Sequence, residues 1–234
     1  MTQVDRAGSI PTKSMPRRKS SDRQAADWLR DAIVDGGYTP GARLTENALA
    51  EGTELSRSTM RTALLHLASE GLVVREAYSG WRVAELSAAD ARDVYNLRSA
   101  LDGLAARHAA LNVTDDGVVA LKAALLDLVL AARERTDVRR LADMDMAFHC
   151  QVVRMSGNAR LEGEYDRLKS VVLRYVRATN LMASSETIIS EHAAIFDAIA
   201  AGDPDLAEQL AIRHVLDHGE QLAQELARAP ETEL

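Results

Sequence analysis

Apolar residues recur three and four apart along most of the chain, and only between Leu72 and Val83 does that spacing give way to short runs. Trp28–Asp35 (WLRDAIVD) predicts an amphipathic helix, Gly36–Gly41 a loop, and Leu44-Thr45-Glu46 the cap of a short second helix reaching Ala50. The stretch Leu55–Val74 (LSRSTMRTALLHLASEGLVV) organises this part of the chain. Ser56 can cap a helix through its hydroxyl, and Met60, Leu64, Leu67 and Ala68 line one side of it. Glu70-Gly71 closes the helix, with Gly71 free to take a left-handed conformation. Leu72-Val73-Val74 then begins a strand, and Tyr78-Ser79-Gly80 turns into Trp81-Arg82-Val83. From Ser87 onward the pattern is all helix, predicted at 88–111, 115–135, 138–156, 158–182, 185–201 and 203–228. The breaks fall at Asn112-Val113-Thr114, Ser156-Gly157-Asn158, Ser184-Ser185 and Gly202-Asp203-Pro204. Amphipathic helices of this length predict an antiparallel bundle.

The polar side of the Leu55–Val74 helix carries Arg57, Ser58 and Arg61 over its first turn and a half. Surface arginines on a helix are commonly just solvated, but here two helices precede and a hairpin follows. Three helices and a hairpin within about 60 residues fit the winged helix-turn-helix plan, whose recognition helix enters the major groove by its N-terminal end. The fold class is therefore mainly α, with an N-terminal winged helix-turn-helix carrying a small β-hairpin and a C-terminal all-helical antiparallel bundle. Arg57 and Arg61 are expected to reach guanine edges, with Ser58 beside them. Arg43 and Ser56 are expected on phosphate or sugar, and the hairpin tip at Gly80 near the adjacent minor groove.

The wording of these segments resembles the DNA-binding domain of the GntR family of bacterial transcription regulators, over Trp28–Leu86. Pro40-Gly41-x-Arg43-Leu44, Ser56-Arg57 followed by Arg61, and Glu70-Gly71-Leu72 carry the resemblance. The chain departs from the family at three places. Glu54 precedes Leu55 where the family usually has glycine, and Ser58-Thr59-Met60-Arg61-Thr62 replaces the frequent Thr-Pro-Val-Arg-Glu. Asn47 stands where some relatives use a DNA-contacting arginine. These changes bear on base preference rather than on the fold.

Composition and charge sharpen the division. With 47% hydrophobic but only 4% aromatic residues, the core must be built from Ala, Leu, Val and Ile, which favours helices. The net charge of −7 argues at first against nucleic acid. Residues 1–86 hold 12 Lys/Arg against 11 Asp/Glu, net +1, leaving 16 against 24, net −8, to residues 87–234. Local clustering rather than the total governs phosphate contact. Residues 1–20 read as a disordered basic arm with Lys13, Arg17, Arg18 and Lys19, residues 21–86 as the DNA-binding domain, 87–228 as the helical domain and 229–234 as a tail. No apolar run approaches the ~20 residues that span a bilayer, and no signal-peptide pattern opens the chain. A single cysteine, Cys150, excludes an internal disulfide framework. The expectation is a soluble cytoplasmic protein without a membrane partner.

A second constellation lies in the helical half. In its third helix Asp145 and His149 sit four apart beside the stripe Leu141, Met144, Phe148, Val152, Met155. The fifth has His192 within Ile188, Ile195 and Ile199, and in the sixth Leu206 and Leu210 are followed by His214. Burying an ionised carboxylate without a partner costs several kcal/mol, on the order of a domain's whole stability margin. A neutral hydrogen-bonded cluster answers that cost if Asp145 pairs with one histidine. For four such residues on three helices, a shared divalent cation is the simpler account, and imidazole with carboxylate suits Zn, Ni, Mn or Fe. His218, four beyond His214, is an alternative ligand. Cys150 points away from His149 and reads as a core thiol.

Residues 87–228 resemble the FadR-type C-terminal domain, an all-helical effector-binding domain of one GntR subfamily; FHCQVVRMSGN and EHAAIFDAI carry the wording. The resemblance implies the metal ligands Asp145, His149, His192 and His214, with zinc as the first choice of ion. It also implies that Arg98, on the first bundle helix, clamps the carboxylate of a small organic acid; Arg174 and Arg177 are weaker candidates. From the residues alone Arg98 reads equally as an ion pair with Asp102. A metal-dependent enzyme and a metal-stapled structural bundle are the competing readings. The enzyme is disfavoured by the lack of a His-Glu-x-x-His run and of an evident general base. The expected function is a homodimeric, acid-responsive repressor on palindromic double-stranded operator DNA, with no catalytic residues.

Overall fold

The computed structural model describes residues 21–76, 80–134, 137–178 and 184–228. The expected basic arm (1–20), the hairpin tip at Tyr78-Ser79 and the tail (229–234) lie outside these residues. The chain divides into two compact units between Leu86 and Ser87.

In the first unit, α1 (Ser21–Val34) packs Ala25, Ala26, Leu29 and Ile33 against α3. It starts ahead of the predicted Trp28 because Ala25 and Ala26 extend the buried stripe by a turn. The Arg30 guanidinium donates from Nε and Nη2 to the two Glu70 oxygens, both at 2.7 Å, tying α1 to the end of α3. Helix α2 (Glu46–Thr53) is capped by Thr45, and α3 (Arg57–Ser69) by Ser56, whose hydroxyl accepts from the Thr59 amide at 3.1 Å. Met60, Ala63, Leu64 and Leu67 fill the core side of α3, while the predicted Ala68 is only half-buried. Between α2 and α3, Glu54 takes φ 58° and ψ 20°, so the backbone makes a left-handed turn of the kind that favours glycine, at the cost of crowding the Glu54 Cβ.

The expected hairpin is there as β2 (Val73–Glu76) and β3 (Gly80–Val83), but the sheet has a third strand. Arg43–Leu44 forms β1 on the other edge, giving the antiparallel order β1-β3-β2, with Leu44 opposite Trp81 and Val73 opposite Val83. Two residues are too few to show a period, which is why the pattern of the sequence leaves β1 out. Leu44, Val73, Trp81 and Val83 are the buried side of this sheet.

The second unit consists of α4 (Ala88–Leu111), α5 (Asp115–Glu134), α6 (Val138–Met155), α7 (Ala159–Ala178), α8 (Ser185–Ala200) and α9 (Pro204–Arg228). The part of α7 predicted beyond residue 178 runs into residues that are not described. Ser87, Asp137 and Ser184, each one residue before a predicted helix start, accept amide hydrogens of the following turn. α4 packs on α6, α7, α8 and α9, so it touches every helix that carries a site residue.

α9 meets α4 through small residues. Its buried face is Ala207, Ala211, His214, Val215, Gly219, Leu222, Ala223 and Leu226. The predicted stripe was thus misplaced at its start: Leu206 is 43% exposed, because the first turns of the helix bury Ala207 and Ala211 instead. A Cβ at Gly219 would stand 2.5 Å from Tyr95 Cβ. Gly219→Ala should therefore destabilise the helical unit by about 1–3 kcal/mol, although alanine is the better helix former by about 1 kcal/mol. Urea unfolding measures this; a stabilised variant would show that the two helices can separate freely. None of the described helices is long and apolar enough to cross a membrane.

Candidate functional site

On the first unit, α3 presents Arg57, Ser58 and Arg61 to solvent from its N-terminal end. Arg61 is not free: Nε and Nη2 donate to the Glu46 carboxylate at 2.9 and 2.8 Å. Arg57 Nη1 donates to Asn47 Oδ1 at 3.2 Å, so Asn47 holds this arginine of the recognition helix. Both partners lie on α2, and both contacts are exposed and therefore screened by salt. Ser56 Oγ sits 2.8 Å from Ser58 Oγ and from Thr59 Oγ1, within the cap. Arg43 is exposed on β1 and Gly80, at φ 94°, on β3. The first four residues thus gather at one helix end, with Arg43 and Gly80 on neighbouring strands of the sheet.

In the second unit the structure brings Asp145, His149, His192 and His214 together, all buried, with ligand-type atoms within 4.8 Å of one another. α6 supplies the first two on one face because they are four apart; α8 and α9 supply the others. Ring centroids lie 5.2 Å apart for His149–His192, 5.2 Å for His149–His214 and 4.5 Å for His192–His214. Phe148 stands edge-on to His149 and His192 at 5.7 and 5.0 Å, closing one side with an apolar wall.

The tautomers of the three imidazoles follow from their partners. His149 Nδ1 lies 2.9 Å from Asp102 Oδ1, His192 Nδ1 2.8 Å from the Ile188 carbonyl, and His214 Nδ1 2.8 Å from Glu191 Oε2. Carbonyl and carboxylate oxygens only accept, so each Nδ1 carries the proton and each Nε2 of a neutral ring carries a lone pair. Burial lowers the pKa of His149, against the pull of Asp102. Burial and the neighbouring His192 lower that of His214 well below the ordinary imidazole value, against Glu191. Burial also opposes ionisation of Asp145, yet its surroundings, the Arg98 cation among them, hold its carboxyl well below the usual range. His192 Nε2 is 3.1 Å and His149 Nε2 3.9 Å from Asp145 oxygens, and neither nitrogen makes a hydrogen bond. Buried lone pairs facing a carboxylate repel one another unless a cation lies among them. The donor set therefore fits a divalent ion: three neutral imidazoles and a carboxylate, each imidazole fixed by an outer acceptor.

Arg98 lies beside this cluster on α4. Its Nε donates to Asp102 Oδ2 at 3.2 Å, which is the ion pair read as an alternative in the sequence. Its Nη2 is buried without a hydrogen-bond partner and meets Asp145 Oδ2 only through an ion-pair contact at 3.8 Å. Arg174 is buried on α7 and its pKa is lowered by burial, and Arg177 pairs with Asp143. His218 stands behind His214, with Nε2 2.9 Å from the same Glu191 oxygen. Cys150 lies outside the cluster, and burial raises its thiol pKa. The reading of the sequence missed Glu191 and Tyr165. Glu191 adjoins His192 and lies 23 residues before His214, a spacing that points to nothing by itself. Tyr165, which donates to Asp102, offers no periodic signal either.

A winged helix-turn-helix unit joined to a helical unit with a buried polar ligand cluster defines a DNA-binding sensor. Comparison with known proteins agrees. Residues 22–83 match the family described as bacterial regulatory proteins, gntR family, and residues 93–217 match the FCD domain. A probable D-xylose utilization operon transcriptional repressor of Paenarthrobacter nicotinovorans is 30% identical over 192 residues, 82% of this chain and 84% of its own. The repressor RspR of Escherichia coli K12 is 26% identical over 84% of this chain and 86% of its own. The crystal structure of a putative GntR regulator from Rhodococcus sp. RHA1 shares 25% identity and a TM-score of 0.70, covering 91% of this chain and all of that one. The chain belongs to the GntR family of bacterial transcription regulators, in the group with an FCD effector-binding domain. Its relatives are regulators, not enzymes.

Proposed function

We propose that this chain is a cytoplasmic, homodimeric repressor that leaves its palindromic operator when a small organic acid binds at a divalent metal site in the helical domain. The observation that carries this reading is the buried convergence of one ligand atom from each of Asp145, His149, His192 and His214 within 4.8 Å, with every imidazole Nδ1 held by an outer acceptor. Asp145, His149, His192 and His214 would hold the ion, zinc first, with Ni, Mn or Fe open on the same donor set. Bound there, the ion supplies an electrophilic centre for a carboxylate. The Nη2 edge of Arg98 adds a charge-assisted donor on a different helix. The repressor names of two relatives support the sign of regulation.

Residues 21–86 would read DNA and 87–228 sense the acid, with the arm at 1–20 and the tail at 229–234 outside both roles. An acid joining Arg98 on α4 to ligands on α6, α8 and α9 favours one placement of α4. Residues 84–87 alone separate β3 from α4 along the chain. Moving the operator from mostly bound to mostly free takes a few kcal/mol of differential affinity between the two states.

On DNA, Arg57 and Arg61 exchange Asn47 and Glu46 for base edges, Ser58 lies beside them, and Arg43, Ser56 and the strand start at Gly80 meet the backbone or minor groove. Pairing of two chains gives two half-sites. With an operator selected from random duplexes, Arg57→Ala should cost about 1–3 kcal/mol on that operator and much less on random DNA. Equal losses in gel-shift titrations would make Arg57 a phosphate contact. Release is tested by fluorescence anisotropy with a panel of hydroxy and sugar acids. Metal-loaded protein should let go with at least one acid and metal-free protein with none. Identical behaviour of the two forms would reduce the ion to a staple.

A further inference from the structure

We infer that Asp102 is the positioning residue of the metal site: its carboxylate fixes the His149 ring with Nε2 toward the ion and holds Arg98 alongside. The inference rests on the metal-binding reading above and adds to it a residue outside the ligand set.

Asp102 is 1% exposed and accepts from three side chains on three helices. His149 Nδ1 of α6 lies 2.9 Å from Oδ1, and Arg98 Nε of α4 3.2 Å from Oδ2. The Tyr165 hydroxyl of α7 donates to both oxygens, at 3.2 and 3.1 Å. All three partners act as donors here, and an ionised carboxylate, which only accepts, satisfies them together. Neither His192, held by a main-chain carbonyl, nor His214, held by the half-exposed Glu191, has its ring tied to the arginine. Only through Asp102, among the described residues, does one group orient both a proposed ligand and the proposed acid clamp. Residues 98 and 102 are four apart, so α4 presents them on one face as a unit.

The two oxygens have separate duties, which gives the test its form. An asparagine at 102 with its amide oxygen at the Oδ1 position still accepts from His149, but its NH2 then faces the Arg98 Nε–H, donor against donor. An alanine serves neither. Zn2+ alone is titrated against a chelating dye into metal-stripped full-length protein. Asp102→Ala should weaken Zn2+ binding by about 10–100-fold, the usual effect of removing an outer partner of a ligating histidine. Asp102→Asn should recover most of that loss. Long-range proton–nitrogen spectra of the imidazoles supply a reading that a merely structural role would not move. In the parent, metal-free and Zn-loaded, His149 should show the Nδ1–H tautomer, and the Arg98 Nε–H should be protected from exchange. Asp102→Asn should keep the first signal and lose the second.

Parent-like Zn2+ affinity in a folded Asp102→Ala protein overturns the inference, as does a His149 ring carrying its proton on Nε2 in the metal-free parent. The spectrum of the parent decides the matter even if the alanine variant does not fold. A parent that takes up no Zn2+ at all sinks the metal reading instead, and the His149 tautomer still judges Asp102.

Discussion

The His192→Ala protein is expected to lose its metal while keeping its fold and its operator. His192 is fully buried and contributes one of four converging donors. Removing a direct ligand should cost more than the roughly 10–100-fold that an outer partner is worth. Elemental analysis should find the variant empty where the parent is filled. The loss has a second signature. An ion that binds only the folded state stabilises it by about 2.7 kcal/mol when present at a hundred times its dissociation constant. Chelator should therefore lower the unfolding midpoint of the parent's helical domain and leave that of His192→Ala unchanged. A variant that keeps its ion would move the site elsewhere, and the group Glu191, His214 and His218 is the next set to examine.

Arg98 gives the second large effect, and it has two parts. The guanidinium is 3% exposed and lies against Asp102 and Asp145. Arg98→Ala leaves these carboxylates without their cation, and removing one member of a buried ion pair costs about 3–5 kcal/mol. Arg98→Lys keeps the charge but loses the planar fork, so it should fold, bind metal and bind operator yet respond poorly to acid. Thermal unfolding reads the first part and operator release the second. An Arg98→Lys protein with a parent-like acid response would return Arg98 to the ion pair alone.

Much of this site was legible in the sequence because it sits on long helices, where three- and four-residue spacing fixes which side chains share a face. Asp145 with His149 and His192 among isoleucines stood out because polar groups replaced aliphatic ones on a core stripe. His214 was found for a less sound reason. Of the stripe taken for it, Leu206 is exposed and Leu210 only half-buried, while Ala207 and Ala211 fill the inner side of α9 ahead of His214. Hydropathy ranks leucine above alanine, whereas close packing against α4 demands the smaller residue. β1 escaped because two residues carry no period, and its pairing with β3 is long-range. The outer shell escaped for a related reason. Asp102 was visible as a partner of Arg98 four residues away, but its bond to His149 spans 47 residues and that from Tyr165 spans 63. On α2, Glu46 and Asn47 gave no sign that they hold the arginines of α3, since exposed polar pairs leave no pattern.

Native mass spectrometry of the protein, purified without chelator and then given Zn2+, Ni2+ or Mn2+ singly, reads the occupancy of the metal site. One tightly held divalent ion per chain is expected in the parent, retained through buffer exchange and absent from His192→Ala. A folded parent that holds none of these ions, or holds them equally well after His192→Ala, would contradict a metal site at these residues.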